Sequence, residues 1–194
     1  MNPAAGHCLF DTAIGRCGIA WRGERVCAFA LPGVDDTATA DQLERRLPGS
    51  APASPPEPVA AAIGAVQRLL AGEAADLTEV PIDLDPVPPF ERSVYQALRA
   101  VPPGETITYG ELAGRAGSPG AARAVGAAMG RNPIPVIIPC HRVLAGGGRT
   151  GGFSAPGGVI TKFRLLEIER ARLGGDAPLF AQLPLAISPS SPRT

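Results

Sequence analysis

Apolar positions change their period twice along this 194-residue chain. Between Leu9 and Leu31 they fall into two strand-like runs, Cys17–Trp21 and Arg25–Leu31, with turn chemistry at Arg22-Gly23-Glu24 between them. These runs predict a hairpin that opens an α/β unit. Asp41–Leu47 reads as a short helix, and Ser50–Pro58, with four prolines, reads as loop. Apolar residues at 59, 63, 66, 69 and 70 recur at helical spacing and predict a helix over Val59–Ala71, stopped by Gly72. Val80–Leu84 alternates like a strand. The stiff run Asp85-Pro86-Val87-Pro88-Pro89 is the predicted domain boundary.

The pattern is helical beyond that boundary. Phe90–Ala100 places apolar residues at 90, 94, 97 and 98, and Pro102-Pro103-Gly104 breaks the run. Thr108 can cap a short helix over Tyr109–Ala116, because its side-chain oxygen can accept a free N–H of the first turn. Gly117-Ser118-Pro119-Gly120 turns the chain into a helix of small residues, Ala121–Met129, and the pair resembles a helix-turn-helix. Gly146–Gly158 is a glycine-rich loop, Val159–Leu173 predicts a long amphipathic helix, and residues 174–194 are rich in Pro and Ser. The expected organisation is an α/β unit over 1–85, a mostly helical unit over 86–175 and a tail over 176–194.

Composition supports a packed core, since 45% of residues are hydrophobic, while 24 Gly and 22 Pro imply many turns. No apolar run reaches the roughly 18 residues of a membrane helix. Met1–Gly6 lacks a basic segment followed by an apolar stretch, so a cytoplasmic protein is expected. The formal net charge of +0 hides an asymmetry. Residues 1–89 carry 6 Arg and 12 Asp/Glu, whereas residues 90–175 carry 11 Lys/Arg and 5 Asp/Glu. A basic second half suits a polyanionic partner, although attraction between the halves gives the same pattern.

The four cysteines are Cys8, Cys17, Cys27 and Cys140, and none forms a Cys-x-x-Cys pair. Their spacing fits no common zinc pattern, so no metal or other cofactor is expected. The first three read as small buried apolar residues, with a metal at His7, Cys8 and Cys27 as the alternative. Cys140 is different. The apolar run Val136–Ile138 would bury its approach, Pro139 bends the chain, and His141 and Arg142 follow directly. A free thiol ionises near pH ~8.5, and a neighbouring base or cation raises the thiolate fraction. On a strand Cys140 and His141 would face opposite ways, so they need a turn or a bridging water. An acid partner for His141 should come from the last helix, as Glu167 or Glu169.

The string Asn132-Pro133-Ile134-Pro135-Val136-Ile137-Ile138-Pro139-Cys140-His141-Arg142-Val143 resembles the active-site signature of the O6-alkylguanine-DNA alkyltransferases. Three further stretches resemble the same family: Val101–Tyr109 its approach to a pocket tyrosine, Ala121–Met129 its recognition helix, and Lys162–Glu169 its closing helix. Over residues 90–172 the resemblance is close, and over 9–84 it is loose. It implies a ribonuclease-H-like α/β N-terminal domain and a winged-helix/helix-turn-helix C-terminal domain. It implies direct repair of double-stranded DNA bearing O6-alkylguanine, by a monomer that uses each molecule once.

The resemblance also implies roles. Cys140 is the acceptor nucleophile, His141 draws off its proton through a water, Glu169 orients the histidine, and Asn132 holds the active-site turn. Tyr109 donates to guanine N3, and the carbonyls of Cys140 and Val143 accept the guanine amino group. Arg123 fills the stack vacated by the flipped base. Ala122, Ala124 and Gly126 let the helix approach the minor groove, where little sequence information is displayed. Met129 lines the pocket, and Ser154 offers a backbone N–H toward O6. The seven residues between Ser154 and Lys162 exceed the family's common spacing, and Phe153 stands where a tyrosine is usual, which implies a pocket rim of altered shape. Two competing readings are a DNA-binding module without transfer chemistry, which Cys140 argues against, and a cysteine hydrolase, for which only His7 is remote enough in sequence.

Overall fold

The computed structural model describes residues 4–146 and 151–171. Strands β1 (Ala5–Thr12), β2 (Gly15–Arg22) and β3 (Arg25–Ala30) form an antiparallel meander. The two-residue β4 (Ala51–Pro52) joins β1 in parallel, giving the order β3-β2-β1-β4. Arg22 pairs with Arg25, so Gly23 and Glu24 alone make the β2–β3 turn. Gly23 takes φ 59, a left-handed first position that a side chain would resist.

The sheet buries both faces. Ala20, Ala28 and Ala30 meet Leu43 and Leu47, the first within α1 (Asp36–Arg46) and the second its C-cap. The helix lies close because Gly18 has no side chain; a Cβ there would stand 2.8 Å from a Leu43 methyl carbon. On the other face, Ile19, Trp21, Val26 and Phe29 pack with Val59, Val66 and Leu69 of α2 (Glu57–Leu70). This apolar cluster continues into Val94, Tyr95 and Leu98 of α3 (Pro89–Arg99) and into Ile134–Ile138. The two halves of the chain therefore share buried surface.

In the second half, α4 (Tyr109–Arg115) and α5 (Ala122–Gly130) pack together across a short turn. Cys140–Arg142 forms a single 3-10 turn. It leads into β6 (Val143–Leu144), which pairs in parallel with β5 (Ile107–Thr108), and α6 (Gly158–Ile168) closes over the turn. Among the described residues no helix is long and apolar enough to cross a membrane.

Several sequence expectations shift. β1 was not anticipated: its half-buried, mixed residues carry no clear alternation, and pairing along all of β2 makes the strand. α1 begins at Asp36 rather than Asp41, because the Asp35 side chain caps it through Ala38 N–H at 2.7 Å. Ser50–Pro58 is not wholly loop, since β4 lies within it and Glu57 and Pro58 open α2. Val80–Leu84 contributes one bridge, Ile82 to Val26, rather than a strand. α6 stops five residues short of Leu173, at Ile168. There Arg170 takes φ 54, and Arg170 N–H and Ala171 N–H donate to Glu167 O (2.9 Å) and Leu166 O (2.8 Å), a left-handed helix stop. Only Cys17 of the first three cysteines is fully buried; Cys8 and Cys27 are half-buried, and all are unpaired. The predicted tail, 176–194, lies outside the described residues, as do positions 147–150 of the glycine-rich loop.

The Thr108 cap forms with a reciprocal partner. Glu111 N–H donates to Thr108 Oγ1 at 3.2 Å, and Thr108 N–H donates to the Glu111 carboxylate at 2.8 Å. Loss of this box should cost about 1 kcal/mol. Thr108→Ala is expected to lower the unfolding midpoint in urea accordingly, and Thr108→Ser to recover most of the loss.

Candidate active site

The residues from Asn132 to Val143 form one tightly bonded turn. The Asn132 carboxamide stitches both ends: its Oδ1 accepts from Ile134 N–H at 3.0 Å, and its Nδ2 donates to Ile138 O at 2.8 Å. Ile138 N–H donates to Ile134 O at 2.8 Å, closing the loop. Inside it Val136 takes φ 74, a conformation that β-branched residues avoid, at a cost of roughly 1–3 kcal/mol. Burial of Ile134, Val136, Ile137 and Ile138 holds the strained segment. The chain then enters the 3-10 turn at Cys140. A turn, rather than a strand, thus sets the relation between Cys140 and His141.

Behind Cys140 lies a buried array of charge. His141 Nε2 is 2.9 Å from Glu169 Oε1, and Glu169 also receives a two-pronged pair of bonds from Arg142, at 2.9 Å from Nε and 2.7 Å from Nη2. The third Arg142 nitrogen donates to Val101 O at 2.5 Å. The choice between the two acids is therefore settled by position: Glu169 reaches the histidine, while Glu167 is exposed. Burial by itself would push the Glu169 carboxyl up, but the hydrogen bonds from His141 and Arg142, with the Arg142 charge, outweigh it and hold the group at about 2. Burial pushes His141 down, against the pull of Glu169, so the ring is neutral at pH 7. Its Nε2–H then donates to Glu169, and Nδ1 is left buried without a hydrogen-bond partner among the described residues.

The Cys140 thiol is raised by burial above all; the Asn132 amide and the positive charges of Lys162 and Arg46 act the other way without overcoming it. The resting group is a protonated thiol: the nearby cations favour the thiolate, the direction expected of them, and burial outweighs them. Lys162 on α6 was missed as a site residue. It is fully buried, donates to Val143 O at 2.6 Å and is lowered by burial to about 8. Arg142, read only as a neighbouring cation, proves to be the partner of Glu169. A lysine in the apolar stretch of α6 and an arginine inside the signature were the available signals.

In front of Cys140 a cavity of about 850 Å³ opens to solvent, lined by Tyr109, Ala122, Arg123, Gly126, Met129, Cys140 and Ser154, with Ala145, Gly151 and Phe153 at its rim. Tyr109 is the first residue of α4, and burial pushes its hydroxyl up, so it remains a donor. Gly151, at φ 66, lets the rim pass over this ring; a Cβ there would stand 3.0 Å from the Tyr109 oxygen. Arg123 is exposed in the first turn of α5, which has no side-chain cap and no acidic residue. Asn132, His141 and Glu169 lie in the layer behind the cavity, and Val143 is buried beside it. Ala124 falls on the exposed outer side of α5, away from the cavity lining. Ser154 is exposed, and its hydroxyl donates to Gly130 O at 3.4 Å.

The alternative readings find less. Among the described residues no three His, Cys, Asp or Glu side chains gather as a metal site. His7 instead meets Ser50 at 2.9 Å, and Cys27 lies beside Asp83. A second cavity, about 630 Å³ between Ala74–Thr78 and Arg99–Pro103, includes no cysteine or histidine.

Residues 89–171 match the family model of the 6-O-methylguanine DNA methyltransferase DNA-binding domain. The methylated-DNA–protein-cysteine methyltransferase of Mycobacterium tuberculosis is 48% identical over 118 residues, covering 60% of this chain and 70% of that protein. The crystal structure of the Mycobacterium tuberculosis O6-methylguanine methyltransferase superimposes with a TM-score of 0.68 at 32% identity, over 89% of this chain and 96% of the other. That of Mycobacterium tuberculosis OGT in complex with DNA gives a TM-score of 0.66 at 32% identity, over 85% of this chain and 92% of the other. With that identity over more than two thirds of a relative, the chain belongs to the methylated-DNA–protein-cysteine methyltransferase family.

Proposed function

We propose that this protein repairs DNA by direct reversal, moving the alkyl group of O6-alkylguanine onto Cys140. The observation that carries this reading is a buried thiol at the floor of an open cavity, with a neutral histidine–carboxylate pair behind it. In the transfer, the His141 Nδ1 takes the Cys140 proton through a bridging water. The sulfur attacks the alkyl carbon, the S–C bond forms and the C–O6 bond breaks. Guanine leaves with the electron pair, and the Tyr109 hydroxyl supplies a proton at N3 as negative charge develops there. The cysteine is activated by its base at the moment of reaction, not by a standing thiolate. Glu169 keeps His141 in the tautomer that leaves Nδ1 as acceptor, and Asn132 holds the turn. The carbonyls of Cys140 and Val143 receive the guanine amino group, Met129 packs against the base, and Ser154 offers its N–H toward O6. A thioether has no ready leaving group, so each molecule acts once.

The lesion reaches the thiol only if the base leaves the duplex. Arg123, at the mouth of the cavity, is placed to enter the vacated stack. The first turn of α5 presents free N–H groups beside this cation, an end that favours phosphate. Ala122 and Gly126 keep the cavity side of α5 shallow and Ala124 its exposed outer side, which suits close approach to the minor groove. We read residues 1–85 as a ribonuclease-H-like support, from the meander with its parallel edge strand. We read residues 86–175 as a winged-helix/helix-turn-helix reader, from α4, α5 and the β5–β6 pair. The protein acts as a monomer, and four unpaired thiols fit the cytoplasm.

Four outcomes test this. Incubation with a methylated duplex should add one methyl group to the Cys140 peptide by mass spectrometry. Cys140→Ala should add none while retaining duplex binding; methyl gain in that variant overturns the reading. Arg123→Ala should slow transfer from a duplex by about 10²-fold if it stabilises the flipped state by a few kcal/mol, yet react normally with a free O6-benzylguanine base. Finally, Glu169 and His141 are both held below their ordinary values, so their contribution to stability is present above those values and is lost as pH falls. Urea unfolding should weaken below the histidine range and further between about 4.5 and about 2, the span over which Glu169 is displaced. Glu169→Gln, which strands Arg142, should be less stable at neutral pH and flatten the acid limb.

A further inference from the structure

Helix α5 serves the proposed reaction at both of its ends. Arg123 stands in its first turn at the mouth of the cavity, and Met129 in its last turn against the pocket. Past Gly130 and Arg131 the chain becomes the Asn132 turn that carries Cys140. This joint therefore sets where the sulfur lies relative to Arg123. Within its backbone, Arg131 N–H donates to Ala128 O at 3.0 Å, and Asn132 N–H reaches Met129 O at 3.3 Å, the long end of the hydrogen-bond range. Gly130 adds conformational freedom at the same place.

Helix α3 grips the joint from outside, twice. The Tyr95 hydroxyl donates to Ala128 O at 2.8 Å from a fully buried position. One turn earlier on the same helix face, Glu91 Oε1 accepts from the Arg131 guanidinium, at 3.1 Å from Nε and 2.6 Å from Nη2. A buried phenol needs an acceptor, and ordinary core packing would explain the Tyr95 bond taken alone. It does not explain the choice of acceptor. Ala128 O already has a partner in Arg131 N–H, and the Glu91 contact falls on the very residue that supplies that N–H. Both contacts thus close on the short span from Ala128 to Arg131. Arg123 lies five residues before Ala128, about 7.5 Å along the helix axis. A small tilt at the joint moves that guanidinium more than it moves Met129, which sits at the joint itself.

We propose that Tyr95, with Glu91 as its outer partner, is a positioning residue that fixes α5 against the acceptor turn, so that a base displaced by Arg123 arrives at Cys140. This coupling rests on the proposed transfer to Cys140 and on Arg123 entering the vacated stack. Tyr95 is buried and lines no part of the cavity, so it acts only through the angle of α5.

A double-mutant cycle in the full chain tests the coupling: wild type, Tyr95→Phe, Arg123→Ala and the pair. Each is followed for methyl transfer from a duplex at saturating protein, for reaction with free O6-benzylguanine and for binding to an unmodified duplex. Tyr95→Phe keeps the ring and removes one oxygen. It should slow duplex transfer about fivefold, the worth of one hydrogen bond, while free-base reaction and duplex binding stay within about twofold of wild type. On top of Arg123→Ala the same change should add less than about twofold, because the lever then carries nothing. An unchanged duplex rate in Tyr95→Phe, an equal loss on the free base, or the full loss repeated beside Arg123→Ala overturns the coupling, the last two marking a merely structural hydroxyl. A duplex rate unmoved by Arg123→Ala overturns it as well. Should Tyr95→Phe fail to fold, Glu91→Ala takes its place in the cycle, since its partner Arg131 is exposed. A loss of about twofold on the duplex, absent beside Arg123→Ala, is then expected, and no loss overturns the coupling. Wild type that takes no methyl group from the duplex sinks the proposed function and this coupling with it. Wild type that transfers, with Tyr95→Phe equally fast, sinks the coupling alone.

Discussion

A carboxylate withdrawn from water costs several kcal/mol unless its charge is matched on the spot. Glu169 is in that position, and Arg142 matches it through two parallel bonds. The rest of the site follows from this pairing. Because Arg142 already supplies the positive charge, His141 enters the same buried layer as a neutral ring rather than a second cation, free to accept a proton at Nδ1. Arg142 also donates to Val101 O, so one guanidinium binds the end of α3, the 3-10 turn and the cap of α6. Removing either member would leave an uncompensated charge in the interior, and the three elements would lose their common anchor.

The same burial explains why the thiol is quiet at rest. Cys140 lies in an apolar layer that opposes its ionisation, and nearby cations and an amide only moderate this. A protonated thiol at the floor of an open cavity is slow to react with stray electrophiles and oxidants. In the proposed transfer the neutral His141 would supply the missing basicity when a target is in place. Low resting reactivity and activation on demand would then come from separate residues.

Much of this was legible in the sequence where local rules decide. Prolines and glycines bracket α2, α3 and α4, Thr108 announces its helix, and the signature around Cys140 points to the nucleophile, its base and one of two possible acids. What was not legible depends on distant partners. β1 exists because β2 runs beside it, not because of its own pattern. The fork from Arg142 joins residues 27 apart in sequence, and the link from Arg46 through Phe29 to Pro133 crosses from one half of the chain to the other. The protonated rest state of Cys140 was not legible for the same reason. Cations next to it are visible in a sequence, but the burial that outweighs them comes from residues distant along the chain.

The exposed start of α5 breaks a local rule, since it sets a cation where a helix prefers an anion and leaves its first N–H groups uncapped. In the proposed reading that end would meet the same phosphate at every step along a duplex, whatever the base sequence. Dwell times on undamaged DNA would then be nearly uniform, and only a base that leaves the stack with little resistance would lengthen the stay. A small electrostatic flaw in one helix would become an even sampling of a very long lattice.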